Sequence, residues 1–184
     1  MDDMTMKEQV IDRAVRDGVS EREAKWYLLK LVEECKKSGL CYVDAERMAI
    51  DVFDDELAEC ESENKNRFAA FRAKKERIPK KAMDLIDALE KAKESALKHK
   101  DDEDGGTCNF DTPILRLEGW TEALVKRACR VVDLDCQKWE KHYMNYHIYG
   151  ACNGQANRHT NMAEAFTDSM RSSGYKADVW YAMD

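Results

Sequence analysis

The sequence predicts an α+β protein: an N-terminal helical bundle over residues 1–100, an acidic, glycine-containing linker at 101–106, and a small β-α-β-β-α-β domain over 107–184. Three observations predict it. Apolar residues recur at helical spacing through the first hundred positions, a run of acids followed by two glycines interrupts the pattern, and alternating, aromatic-rich stretches then flank two further helical segments.

The first helix opens on a capping box, Thr5 with Glu8, and continues through Val10, Ile11, Ala14 and Val15 to Gly18. Ser20 with Glu23 opens a second, whose Ala24, Tyr27, Leu28, Leu31, Val32 and Cys35 share one face; Lys36, Lys37 and Gly39 suit its C-terminal end. Two antiparallel helices joined by a short turn follow from this. Asp44 can cap a third helix with Met48, Ala49, Val52, Phe53 and Leu57, and a fourth runs through Phe68 and Phe71 toward Pro79. Proline lacks an amide hydrogen and fits a first turn, so Pro79 opens a fifth helix carrying Met83, Leu85, Ile86, Leu89 and Leu97. Asp101 to Gly106 combines like-charge repulsion with glycine freedom, which places the domain boundary there.

Beyond it, residues 107–117 read as extended and Thr121 caps a helix with Leu124, Val125, Ala128, Cys129 and Val132 on one face. Residues 136–149 have strand composition, with a turn between Lys141 and Asn145 folding them into a hairpin. Thr160 caps the last helix, with Met162, Ala163, Phe166 and Met170 inward, and Ala177, Val179, Tyr181 and Met183 alternate as a final strand. This order is compatible with a ferredoxin-like arrangement, helices on one face of an antiparallel sheet.

A hydrophobic content of 43% in 184 residues suffices for a real core. The net charge of −7 favours solubility and opposes adsorption to nucleic acid or anionic membrane through net charge alone. Seven cysteines, at 35, 41, 60, 108, 129, 136 and 152, form no regular framework and fit reduced thiols. With neither a signal-peptide pattern nor an apolar run of spanning length, the expected compartment is the cytoplasm.

Charge reverses sharply along the chain. Nine acids stand against Arg47 between Asp44 and Glu63, then eight basic residues, Lys65, Arg67, Arg72, Lys74, Lys75, Arg77, Lys80 and Lys81, stand against Glu76 alone. The basic block, interleaved with Phe68 and Phe71, could neutralise phosphates of DNA or RNA. Asp51, Asp54, Asp55, Glu56, Glu59, Glu61 and Glu63 could instead imitate a phosphate track and occupy a basic groove of a nucleic-acid enzyme. Charge runs on helices ordinarily solvate or pair with one another, which is the plainer reading of both blocks.

Other features carry less chemistry. Cys136, His142, His147 and Cys152 are zinc-type ligands with five, four and four residues between them, unlike the close pairs of structural zinc sites, so no metal or other cofactor is expected. The polar run from Gly154 to Asn161 leads into a helix whose free amides, with Arg158 and His159, could hold an anion; ordinary capping by Thr160 explains it equally. His159 with Glu164 or Asp168 is the one conceivable acid/base pair, and no phosphate loop, zinc-protease helix or nucleophile elbow accompanies it, so no catalytic residue is assigned. Trp26, Trp120, Trp139 and Trp180 suit core or interface positions better than stacking platforms.

Leu28 to Gly39, followed by Asp44 to Asp55, resembles the PcfK-like proteins of conjugative elements, with Asp51-Val52-Phe53 replacing the His-Tyr-Tyr character of that family. The segments Gly106 to Asp111 and Asn157 to Phe166, with the ending Tyr175 to Asp184, look like proteins of phages and prophages. Small, acidic proteins of such elements include the anti-CRISPR proteins, and the chain is similar to these in size, acidity and polarised charge. The resemblance implies a non-enzymatic inhibitor that binds a CRISPR nuclease effector, Cas9, through charged helical surface. The alternative it leaves is a DNA- or RNA-binding accessory protein of a mobile element.

Overall fold

A computed structural model describes residues 4–62, 78–106, 109–139 and 145–182. The chain divides into two compact units, Met1–Pro79 and Lys80–Asp184. The expected fourth helix and the turn at 141–144 lie outside the described residues.

The first unit contains α1 (Met6–Arg16), α2 (Glu21–Lys37) and α3 (Tyr42–Ser62). Both predicted capping boxes form: Thr5 and Glu8, and Ser20 and Glu23, each exchange side-chain to backbone hydrogen bonds, so amides left over at the helix starts are satisfied. α3 begins at Tyr42, two residues before the expected cap, and Asp44 sits in its first turn, where a carboxylate is stabilised by the positive end of the helix dipole. Val10, Ile11 and Ala14 of α1, Tyr27, Leu28, Leu31 and Val32 of α2, and Ala49, Phe53 and Leu57 of α3 form one core. Tyr27 and Phe53 meet edge to face at 5.1 Å, an arrangement worth about 0.5–1.5 kcal/mol beyond the area buried.

The second unit begins with α4 (Lys80–Leu97), immediately after Pro79. It continues through β1 (Thr112–Arg116), α5 (Glu122–Val131), β2 (Asp135–Lys138), β3 (Asn145–Tyr149), α6 (Ala156–Ser172) and β4 (Lys176–Trp180). The four strands form one sheet in the order β2-β3-β1-β4, antiparallel throughout. This is the ferredoxin-like order. Leu115 of β1 pairs with Tyr146 of β3 and Ala177 of β4, and Cys136 of β2 with Ile148 of β3; these residues face α5 and α6. Leu115, Tyr146 and Ile148 are almost wholly buried there with Val125, Ala128, Met162, Phe166 and Met170.

The expected boundary at 101–106 falls inside this unit, and the fifth predicted helix belongs to it rather than to the N-terminal bundle. α4 packs on α6 and α5, burying Ala82, Leu85, Ile86, Leu89, Ala92 and Ala96. Polar contacts fix its ends: Lys93 Nζ donates to Val132 O at 2.7 Å, and Lys81 Nζ donates to Gly119 O and stands 4.2 Å from the centre of the Trp120 ring. Residues 101–106 form a strap rather than a free linker. Asp104 Oδ1 accepts from the amide of Gln155 at 2.9 Å, and Gly105 O accepts from that of Asn157 at 3.1 Å.

That strap also explains where α6 begins. The predicted cap, Thr160, lies in its second turn, because the strap satisfies the amides of Gln155 and Asn157 from outside and the helix starts at Ala156 without a side-chain cap of its own. No helix among the described residues is long and apolar enough to cross a membrane.

Candidate binding surfaces

α3 distributes its acids around three sides. On one flank Arg13 of α1 donates to Asp54 and forms a fork with Glu61, Nε to Oε1 at 3.0 Å and Nη2 to Oε2 at 2.8 Å. The fork with Arg13 holds the Glu61 carboxyl below its ordinary value, and Glu61 with Asp54 holds the Arg13 guanidinium above its own. On the other flank Tyr27 Oη donates to Glu56 at 2.7 Å. Asp51, Asp55 and Glu59 follow one another at four-residue spacing on the outward side, all exposed, beside Met48 and Val52. Half of Met48's surface is open. Of the predicted acidic set, Asp54 bonds to α1 and Glu56 to α2, and Asp55 and Glu59 are exposed on the outward side.

Of the basic block, Lys65, Arg67, Arg72, Lys74, Lys75 and Arg77 lie outside the described residues. Lys80 is exposed in the first turn of α4, whereas Lys81 is held by Gly119 O and the Trp120 ring, a cation–π contact worth about 0.5–1 kcal/mol at such a site.

The start of α6 is occupied by the protein itself. Arg158 Nη2 donates to Asp104 Oδ2 at 2.6 Å and Nη1 to Lys100 O at 3.2 Å, while Asp104 takes the amide of Gln155; the anion at this helix end is the strap's own carboxylate. His159 Nε2 lies 2.9 Å from Asp111 O, and a carbonyl only accepts, so this nitrogen carries the proton. Glu164 accepts from Tyr181 and Asp168 from Arg171, so neither carboxylate is hydrogen-bonded to His159. Asp111 is only 3% exposed and fully used: Oδ2 accepts from Asn109 Nδ2 and Thr160 Oγ1, Oδ1 from the amide of Ala182. The cluster ties β1 to α6 and to the residues following β4.

The sheet face turned away from α5 and α6 carries an aromatic group that includes Trp139 and Trp180, which the sequence assigns to core or interface positions. Register places Ile114, His147 and Asp178 on this face, with Gln137 beside His147 and Trp180 beside Thr112. His147 is 8% exposed and meets Trp139 at 5.0 Å and Trp180 at 5.3 Å edge to face, and stacks on Tyr149 at 6.2 Å. Burial holds its imidazole below the ordinary value, and its Nδ1 has no hydrogen-bond partner among the described residues. Tyr149 and Trp180 keep 42% and 41% of their surface open. The alternation His147, Tyr149 on β3 and Lys176, Asp178, Trp180 on β4 was the available signal, and it points these rings to the side opposite Ala177 and Val179.

The zinc-type residues are not assembled. Cys136 faces the helices and His147 the opposite side, His142 lies outside the described residues, and no group of three metal-ligating side chains occurs among the described residues. No family model, curated protein or solved structure matches this chain.

Proposed function

We propose that the protein acts by binding rather than by chemistry, as an inhibitor that lays the outward face of α3 on a basic, nucleic-acid-binding surface of a nuclease effector, with Cas9 the target the anti-CRISPR resemblance implies. One observation carries this reading. Arg13 and Tyr27 engage the acids on both flanks of α3, yet Asp51 and Asp55 stand outward at a spacing where like charges destabilise a helix by a few tenths of a kcal/mol. Met48 and Val52 lie among them, so the face offers desolvatable apolar surface inside an acidic frame. Such a frame speeds encounter with a basic groove and discriminates against acidic partners.

The experiment is titration of the purified chain into a Cas9–guide cleavage reaction, with gel shifts of duplex DNA in parallel at two salt concentrations. Cleavage lost near equimolar ratio is expected, and Asp51→Lys with Asp55→Lys should raise the protein needed by about tenfold or more while the circular dichroism is kept. Undiminished cleavage at large excess rejects the proposal.

A further inference from the structure

We propose that β4 is a strand-pairing edge which Arg171 holds closed, and that its occupant, once Arg171 is withdrawn, is the β4 edge of a second copy of this chain lying antiparallel to it. This surface is separate from the α3 face and from any nuclease target.

The free edge follows from register. Among the described residues β2 and β4 end the sheet. Phe110 N donates to Ala182 O, and in an antiparallel ladder the residues that exchange bonds recur at every second position. Trp180, Asp178 and Lys176 therefore turn their amides and carbonyls toward β1, and Val179 and Ala177 turn theirs outward. Pro113, which has no amide hydrogen, stands opposite Val179, where this phase asks nothing of it.

The outward groups are not left to water. Arg171, in the last turn of α6, donates from Nε to Ala177 O at 2.9 Å and from Nη2 to Asp178 Oδ1 at 3.2 Å. The same Asp178 oxygen accepts from the amide of Val179 at 2.9 Å, and Asp168 Oδ1 holds the guanidinium through Nη1 at 3.0 Å. One side chain thus covers, directly and through Asp178, a carbonyl and an amide that an incoming strand would use. Half of the Arg171 side chain and 79% of that of Asp178 are open to solvent, where water would satisfy the same backbone groups, so satisfaction alone does not account for the arrangement. The opposite edge is closed in the same way. Trp139 N donates to Asn145 O, which sets the phase of β2 and turns the amide of Cys136 outward; that amide donates to Asp135 Oδ1 at 2.9 Å, and Arg130 stands 3.7 Å from the same oxygen. A charged plug on each edge of one sheet excludes added strands.

Charge selects the occupant and its register. With Ala177 on a two-fold axis, its outward amide and carbonyl exchange bonds with those of its counterpart, and Lys176 of each copy stands directly opposite Asp178 of the other. These two cross-strand pairs are of opposite sign. Moving the axis to Asp178 sets two carboxylates face to face, and moving it to Val179 sets Asp178 opposite Trp180. Withdrawal of Arg171 frees both the carbonyl of Ala177 and the carboxylate that Lys176 of the second copy would meet.

The test is sedimentation velocity of the full chain over a wide range of concentration, with amide exchange read at Ala177. Arg171→Ala, and Arg171→Met, which keeps the aliphatic stem, should dimerise at concentrations at least about tenfold below any association of the parent. The outward amide of Ala177 should exchange fast in the parent and become protected in the dimer. In the Arg171→Met background Val179→Pro should abolish the dimer, because it removes an outward amide and leaves the ladder with β1 intact. Lys176→Glu should abolish it as well, and adding Asp178→Lys should restore it, which separates pairing from a folding defect. The proposal fails if both Arg171 variants, folded by circular dichroism, keep the parent's mass at every concentration. It fails equally if the Ala177 amide stays in fast exchange, if the dimer survives Val179→Pro, or if the charge exchange does not restore it.

Discussion

Arg158 lies across Gly154, so that a Cβ at position 154 would stand 2.0 Å from Arg158 Nε. The guanidinium is not free to move aside without cost, because Asp104 and Lys100 O hold its two terminal nitrogens. Gly154 also has φ of +80°, where a side chain adds strain.

Gly154→Ala should therefore lower stability by about 1–3 kcal/mol, read as a fall in urea midpoint. In an Arg158→Ala background the collision disappears and only the backbone strain remains, about 1 kcal/mol. A double-mutant cycle with equal effects in both backgrounds would show that the two residues do not interact.

Asp111 gives a second expectation. Removing this buried carboxylate leaves the amide of Ala182 without its acceptor and Asn109 and Thr160 with only Ala156 O and each other, at about 1–3 kcal/mol. Asp111→Ala should destabilise the second unit cooperatively, with Asp111→Asn intermediate, since an amide keeps one acceptor oxygen. Amide exchange of Ala182 reports it directly: protection there should vanish in Asp111→Ala. Unchanged protection would mean that the end of β4 is held by something else.

These two clusters mark the limit of what the sequence discloses. Both capping boxes and the amphipathic faces of α1 and α2 were legible, because each depends on residues three or four apart. The β-α-β-β-α-β order was legible from alternation, and the strand order follows the split arrangement that such an order favours. The strap was not. Asp101 to Gly106 has the composition of a linker, and only the pairing of Asp104 with Gln155 and Arg158, about fifty residues away, makes it part of the fold. The same contact fills the anion site expected at Arg158 and His159 and moves the start of α6 ahead of Thr160. The aromatic face escaped for a related reason: Thr112, Tyr149 and Trp180 form one row only through strand register, which the sequence does not print.

Thiol reactivity should follow burial. Cys152 is pushed up to about 12, chiefly by burial, and Cys129, against Cys136 and buried, is raised as well. Both are neutral thiols at pH 7, and the thiolate is the reactive species. In a timed iodoacetamide reaction resolved by peptide mass, the exposed Cys41 should be modified well before Cys129, Cys136 and Cys152, and denaturant should erase the difference. Early labelling of Cys129 in the native protein would contradict the packing of α5 on β2.

His147 should couple stability to pH. Its folded-state value lies below that of the unfolded chain because burial among Trp139, Tyr149 and Trp180 penalises the imidazolium. The unfolded state then binds more protons, so stability rises with pH. The contribution is complete above the ordinary histidine value of about 6.5 and is lost as pH falls from there through the lowered value. Urea unfolding at intervals from about pH 8 to 5 should show this decline. His147→Phe, which keeps a ring and has no proton to gain, should flatten the part of it due to this residue, leaving the carboxylates to act at lower pH. Imidazole resonances followed by NMR in the folded protein give the independent reading. A His147 titration midpoint at or above the ordinary value, or an equally steep decline in His147→Phe, would place the pH dependence elsewhere.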